Sequence, residues 1–435
     1  MISLASSELK WMERLIREHV DRTKNIQERL NNKQFGFRPG CSTETALHHA
    51  TNKMEKAIHD GQFALAIYAD IENAFPTVSF EGITKALHKL QLPKGIIRWI
   101  NYMTRNRSLT ATINETRVQK RICRGCPQGG ILSPFLWNAV IDQLLNTAQA
   151  SAIYTQAYAD DLLCIVVGHD PPTLRNIAQS FIRKAESWAK DNGLKLSPSK
   201  TEAVMYTKKR KWSLNGDLIL GNQKIKVSNE AKYLGVILDQ NLTFNSHIKA
   251  QITKAKACQA QARRIVGKSW GIRPHMTKWI YTAMVRPILS YAACIWYGAV
   301  RGRKVDALNR VQRLACLSIT AAYPSSPTAA LELLTGLTPI DLHLGYEAAS
   351  GALRIRRGYG QLNRHHPHLS RNYGHIKSCE DILKQIETAT YPTDVQARTW
   401  EEPLFTVSIK TGNWRRPRGK HRTNQILHVT RTAPS

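Results

Sequence analysis

Acidic residues are scarce in this chain. Its 435 residues carry 32 Asp plus Glu against 62 Lys plus Arg, a formal charge of +30, with a pI near 10.0. That imbalance points to a polyanionic partner. Long apolar runs are also missing. The longest, Ile288 to Val300, follows Arg286-Pro287 and is too short to span a bilayer, which argues against an integral membrane protein. The start, Met1 to Ile16, is amphipathic and has no cleavable apolar core, so no secretory leader is read there. The eight cysteines, at 41, 123, 126, 164, 258, 294, 316 and 379, set no disulfide framework, and a reducing compartment is expected. Cys123 and Cys126 have metal-knuckle spacing but neither a second pair nor a nearby His, so free thiols are preferred to zinc. His365, His366, His368 and His375 precede Cys379 at spacings that fit no knuckle, and a polar linker is preferred there. Hydrophobic content of 42% is nevertheless that of a folded protein, and the length allows two or three domains.

What the chain does have is concentrated at Tyr158-Ala159-Asp160-Asp161. Ala152-Ile153-Tyr154 precedes this box and Leu162 to Val167 follows it, which reads as strand, tight turn, strand. Two adjacent carboxylates at a hairpin tip repel one another and persist mainly where a cation faces them. Alone, such a pair is more often a polar turn. A third acid changes the balance: Asp70 ends the strand-like run Phe63 to Ala69 and begins Asp70-Ile71-Glu72-Asn73-Ala74-Phe75. An acid at the end of one buried strand and two at a hairpin tip can converge on two metal ions about 3.5–4 Å apart.

Asp70 to Phe75 resembles the first catalytic motif of reverse transcriptases, and Tyr158 to Asp161 is similar to their Tyr-x-Asp-Asp box. Gly125-Cys-Pro-Gln-Gly-Gly-Ile-Leu-Ser-Pro-Phe-Leu-Trp-Asn138 resembles the second motif. Gly193 to Glu202 looks like the palm segment that carries a lysine, and Lys232 to Asp239 like the primer grip. Gln34 to Leu47 resembles a fingers motif of non-LTR retrotransposon and group II intron enzymes. The motifs stand in the family's order across most of residues 1 to 245. No maturase segment, which a group II intron enzyme would carry, is recognisable.

The resemblance implies an α+β right-hand polymerase with fingers, an antiparallel palm sheet and a helical thumb. Partial fingers and palm with primer grip are expected over 1–245, the thumb over 246–325, and over 326–435 a linker whose basic end from Lys410 lacks regular structure. It implies an RNA-directed DNA polymerase of a non-LTR element, using two Mg2+ ions, with Mn2+ an alternative. Its partners would be an RNA template, a DNA primer or nicked target DNA, and deoxynucleoside triphosphates, with no membrane. An intracellular setting, nucleus and cytoplasm, follows from the same likeness. The start resembles the segment after Tyr-Arg-Pro of the first fingers motif, so part of the fingers and the N-terminal endonuclease are expected to be missing. No ribonuclease H motif is found. An inactive nucleic-acid-binding remnant is the alternative reading.

By matching positions, Asp70, Asp160, Asp161 and the Ile71 carbonyl would hold metal. Phe75 falls at the family's sugar gate, with an ordinary core Phe as the alternative. Gln128 would bond nucleotide or template, Gly129 would let backbone approach, and Tyr158 would line the substrate site. Lys200 would protonate departing pyrophosphate. Arg38 would pair with the triphosphate or serve the fingers structurally. Pro76 departs from the family's usual polar residue.

Periodicity predicts helices over 7–23, 43–59, 79–90, 94–106, 134–148 and 172–192, strands over 63–69 and 200–207, and a hairpin over 108–121 that turns at Asn114. The first helix is expected to bury Leu9, Met12, Leu15, Ile16 and Val20. Short strands follow over 218–240. Beyond 245, Ile248, Ile252, Ala255, Cys258, Ala262 and Ile265 form one helix face. Lys249, Lys254, Lys256, Arg263 and Arg264 lie opposite, ready for phosphate. Further helices are read over 275–285 and 304–319, with a short capped one within 326–336.

Overall fold

The structure is a computed structural model that describes residues 6–113, 116–147, 152–264, 272–361, 373–388, 405–412 and 424–431. Its main sheet is built around Phe63–Ala69, buried along its whole length. This strand pairs antiparallel with Asp161–Gly168 on one side and Glu202–Tyr206 on the other. Ile153–Tyr158 extends the sheet beyond Asp161–Gly168. The far edge departs from the expected antiparallel pattern. Lys226–Ser228 runs parallel to Glu202–Tyr206, because the chain returns to that edge through a separate small hairpin, Ile219–Leu220 with Gln223–Lys224.

Strand alternation sends side chains to two cores. Phe63, Leu65, Ile67 and Ala69 enter one, with the helices Phe80–Lys89, Ser133–Thr147 and Pro171–Asp191. Ala64, Ala66 and Tyr68 enter the other, beneath the helix Thr43–His59. Two alanines in a row on that face let the helix sit close to the sheet. Ser42 caps it, its hydroxyl accepting from the Thr45 amide at 3.2 Å. Gly61, at φ +69°, turns the chain into the central strand.

The second core continues through the helices Asn245–Arg264, Arg303–Thr320 and Ile340–Gln361. The 275–285 prediction resolves into Pro274–Ile280 followed by a π-helical turn, Tyr281–Val285. Ile340–Gln361 lies in the segment read as linker, yet Leu344, Ala348, Ala352 and Ile355 are buried in this core. The five cations predicted on Asn245–Arg264 are exposed. The buried face of that helix is more polar than predicted, with His247, Gln251 and Gln259 beside Ile248 and Ala255. Ile265 and Asn114 lie outside the described residues.

Residues from Lys384 onward form a separate compact unit. Within it Phe405–Gly412 pairs with Asn424–Arg431, so regular strands stand where the basic composition had suggested none. The two strands run antiparallel, with Val407 opposite Val429 and Ile409 opposite Leu427. Of the four clustered histidines only His375 lies within the described residues. It is buried, bonded to Glu55 Oε2 at 2.7 Å and to His48 Nδ1 at 2.8 Å. Cys123 is exposed, Cys126 is buried, and both are free thiols. No helix among the described residues is long and apolar enough to cross a membrane.

Candidate active site

Strand register brings the three predicted acids together. Ala69 stands opposite Leu162 and Tyr158 opposite Asp161, so the next position along the central strand sets Asp70 beside Asp161. Asp160 occupies the two-residue connection with Ala159. Ala159 has φ +54°, where a side chain costs about 1–2 kcal/mol. The surroundings hold it there. The Trp137 indole donates to the Ala159 carbonyl at 2.8 Å. Gly36 packs against the tip so closely that an added Cβ would overlap the Ala159 nitrogen and come within 3.1 Å of the Tyr158 carbonyl carbon. Asn138 fixes Gly36 by donating to its carbonyl at 2.9 Å, and Gln34 donates to Asn138 at 2.7 Å. The fingers-like segment is joined to the hairpin edge by backbone bonds, Phe35 to Ala157 at 2.9 Å and Ala157 to Lys33 at 3.1 Å.

Desolvation and like charge act together on the acids. Asp161 is pushed up to about 6, first by desolvation, then by Asp160 and Asp70. Asp70 Oδ2 is buried and accepts no hydrogen bond, and the exposed Lys200 ammonium stands 3.2 Å from it. Ile71 pairs with Leu196 as an isolated bridge whose two hydrogen bonds run from Glu72 to Lys195 and from Ser197 to Asp70. The Ile71 carbonyl therefore lies outside that ladder.

Among the described residues no three His, Cys, Asp or Glu side chains close into a ready-made metal cage. The donors still fit Mg2+, which is commonly held by one or two carboxylates and completed by phosphate and water oxygens. Crowded carboxylates, an oxygen without a hydrogen bond and a spare carbonyl make such a hard-oxygen set.

Phe75 sits partly exposed in an aromatic stack. Its ring lies 5.8 Å from Trp137 at 30° and meets the edge of exposed Phe37 at 6.2 Å. It is thus neither a fully buried core residue nor a loose one. The Gly125–Cys126 segment runs alongside, with Gly125 donating to Val78 at 2.7 Å and Cys126 to Phe75 at 2.8 Å. Gly125, at φ +82°, has no room for a Cβ, which would stand 2.6 Å from the Pro76 carbonyl carbon. Pro76 is accommodated in the helical turn Ala74–Thr77. Gln128 and Gly129 are exposed at the head of the loop, with Gly129 at φ +105°. Tyr158 is half-buried, its phenol pushed up by desolvation and by Tyr291 and Cys41. Arg38 lies two residues beyond Gly36. Its guanidinium donates to the Asn31 carbonyl at 2.6 Å, a contact internal to the fingers-like segment.

A residue that sequence reading missed is Glu13. The predicted buried face of Ser7–Arg22 is rotated in the structure. Met12 and Leu15 are exposed, while Glu13 is buried completely. Its Oε2 accepts the Ile131 amide at 2.6 Å, just beyond Gln128 and ahead of the helix Ser133–Thr147. Desolvation pushes this carboxyl up, against the lowering effect of the Ile131 and Leu132 amides and of Arg107 and Lys10. Arg107 donates to the Gly125 carbonyl. The loop that carries Gln128 is therefore tied at both ends by ionisable side chains. A lone Glu on an amphipathic helix gives no sequence signal of this.

Residues 1–238 match the reverse transcriptase (RNA-dependent DNA polymerase) family. The chain is 27% identical over 332 residues to a 115 kDa protein in the type-1 retrotransposable element R1DM of Drosophila melanogaster, covering 75% of this chain and 31% of that protein. It is 26% identical over 231 residues to the retrovirus-related Pol polyprotein from the type-1 retrotransposable element R1 of Nasonia vitripennis, covering 50% and 66%. It is 25% identical over 336 residues to the RNA-directed DNA polymerase from mobile element jockey of Drosophila melanogaster, covering 74% and 35%. The chain thus spans about a third of two of these relatives and two thirds of the other. A telomerase structure from Candida tropicalis aligns with 88% of this chain and 57% of its own at 9% identity and a TM-score of 0.39, too slight a likeness to argue from.

Proposed function

This chain belongs to the reverse transcriptase family, and we propose that it is the polymerase part of a non-LTR retrotransposon protein. It would add deoxynucleotides to a primer 3′-hydroxyl on an RNA template. The observation that carries the reading is the register that sets Asp70 beside Asp161, with Asp160 in the same turn and Phe75 and the Gln128 loop in adjoining segments.

Asp70, Asp160, Asp161 and the Ile71 carbonyl would hold two Mg2+ ions. When bound, such ions lower the pKa of the attacking hydroxyl and stabilise charge on the leaving phosphate. The remaining work falls to side chains of this chain. Phe75, braced by Trp137, would present a flat ring under the sugar and exclude a 2′-hydroxyl. Gln128 would hydrogen-bond the nucleotide or template, with backbone approaching at Gly129. Tyr158 would line the substrate site. Lys200 would leave Asp70 and donate a proton to departing pyrophosphate. Arg38, bonded to the Asn31 carbonyl, is better suited to holding the fingers segment than to binding triphosphate. Residues 1–245 would then serve as fingers and palm, and 246–325 as thumb, whose exposed cations would follow the primer–template backbone.

The test is primer extension on an RNA template with Mg2+, comparing the chain with Asp160→Asn. Extension by the unmodified chain and its loss in the variant, with template binding retained, is the expected outcome. Undiminished extension by Asp160→Asn would reject the assignment.

A further inference from the structure

A cationic cleft lies away from the acids, at the other end of the same hairpin. Lys33, Lys53 and Lys56 line one cleft of about 420 Å³ together with Tyr154, Gln62 and Val167. Lys33 comes from the segment bonded to the hairpin edge, Lys53 and Lys56 from Thr43–His59, and Tyr154 from the edge strand itself. Two elements thus deliver three lysines, and a third the tyrosine, to one concavity.

Tyr154 explains how like charges gather there. The Lys33 and Lys53 ammonium groups lie 5.2 Å and 5.5 Å from its ring centroid, where the quadrupole of the ring attracts cations. The tyrosine hydroxyl is anchored, donating to Gln156 Oε1 at 2.8 Å. Gln156 is itself buried and donates to the Ala46 carbonyl at 3.0 Å and to Tyr233 at 2.9 Å. The ring is therefore a fixed platform. Lys33 is only partly exposed, and desolvation pushes its ammonium down, so an incoming anion would relieve a real cost. Tyr154 is four residues from Tyr158 on one strand, roughly 13 Å at the usual rise.

We propose that this cleft binds the phosphodiester backbone of a single-stranded nucleic acid as it passes the polymerase site. The proposal rests on the polymerase reading for its choice of ligand. Its chemistry, phosphate on clustered lysines, is common to RNA and DNA.

The test uses the full chain and a variant with Lys33→Gln, Lys53→Gln and Lys56→Gln. The control is Lys208→Gln, Lys211→Gln and Lys226→Gln, which removes equal charge from exposed sites that do not line the cleft. Binding of oligo(rA) and oligo(dA) of equal length is measured by fluorescence anisotropy against salt, with melting temperature as the check on folding. If each cleft lysine neutralises a phosphate, the log–log slope falls by roughly 2 in the cleft variant. The control should change it by clearly less. A drop confined to oligo(rA) identifies the strand as RNA, and an equal drop for both identifies the shared backbone. Equal slopes in the cleft variant and the control would overturn the proposal. Primer extension by the unmodified chain, run in parallel, separates failure of this site from failure of the polymerase reading.

Discussion

Glu13 offers the sharpest test of how the Gln128 loop is held. Glu13→Ala removes a buried acceptor from the Ile131 amide and leaves the Leu132 amide without its nearby charge. An orphaned buried amide costs about 1–3 kcal/mol. Against that, the desolvation that pushes the carboxyl up is relieved. A net loss of about 2 kcal/mol is expected for Ala, and about 1 kcal/mol for Gln, whose amide oxygen still accepts one N–H. The pH dependence has a definite sign. An acid whose folded pKa is raised binds more protons folded than unfolded, so stability falls as pH rises from its ordinary value through the raised one. Glu13→Gln should flatten that fall. Chemical denaturation at several pH values reads both effects. In single-nucleotide extension the looser loop should lower kcat/KM about tenfold, equivalent to about 1.4 kcal/mol, mostly through KM for the nucleotide. Glu13→Gln with unchanged stability, pH profile and KM would falsify the assignment of Glu13 as a positioning residue. A loss of stability with KM unaltered would confine it to the fold.

Gly36→Ala drives a methyl group into the Ala159 backbone and should cost about 1–3 kcal/mol while shifting the acid-bearing tip. Normal melting and normal turnover together would show that the contact is slack. Asp161 should titrate near 6 by NMR in the absence of divalent ions. Because that value is raised, metal-free stability should fall as pH rises from the ordinary carboxylate range to about 6, and apparent Mg2+ affinity should weaken below it as protons compete. An Asp161 midpoint in the ordinary range would refute the crowding argument. Phe75→Val should raise ribonucleotide incorporation relative to deoxyribonucleotide incorporation, because the Trp137-braced ring would no longer fill the space below the sugar. A stable variant with an unchanged ratio would return Phe75 to a packing role.

The sheet and the three acids were legible because both signals are local. Strand alternation around Phe63–Ala69 and the tight turn at Asp160 lie within a few residues, and register then fixes where the acids meet. What was not legible depends on distant partners. The closeness of Gly36 to Ala159, Arg38 to Asn31 and Glu13 to Ile131 leaves no periodic trace. Ile340–Gln361 gives little helical signal because alanines share its buried face with Ile340, Leu344 and Ile355, Gly345 and Gly351 interrupt it, and Leu342 and Tyr346 lie exposed. Small apolar residues give a weak helical signal even where they pack tightly. The parallel edge strand Lys226–Ser228 is only three residues long, too short to carry a pattern.

The central strand has one more consequence, for the order in which the molecule opens. Phe63–Ala69 is covered on both faces and paired on both edges, so its amides should exchange with solvent only through the largest opening available to their unit. Asp70 follows directly from it. The Tyr158–Asp161 turn, by contrast, is exposed at Asp160 and Asp161 and is held from outside by Gly36 and Trp137. Under mild denaturant, hydrogen exchange should free the turn first and the Asp70 strand last. Deactivation would then precede unfolding, and it would reverse on removal of the denaturant, because one carboxylate never leaves its place.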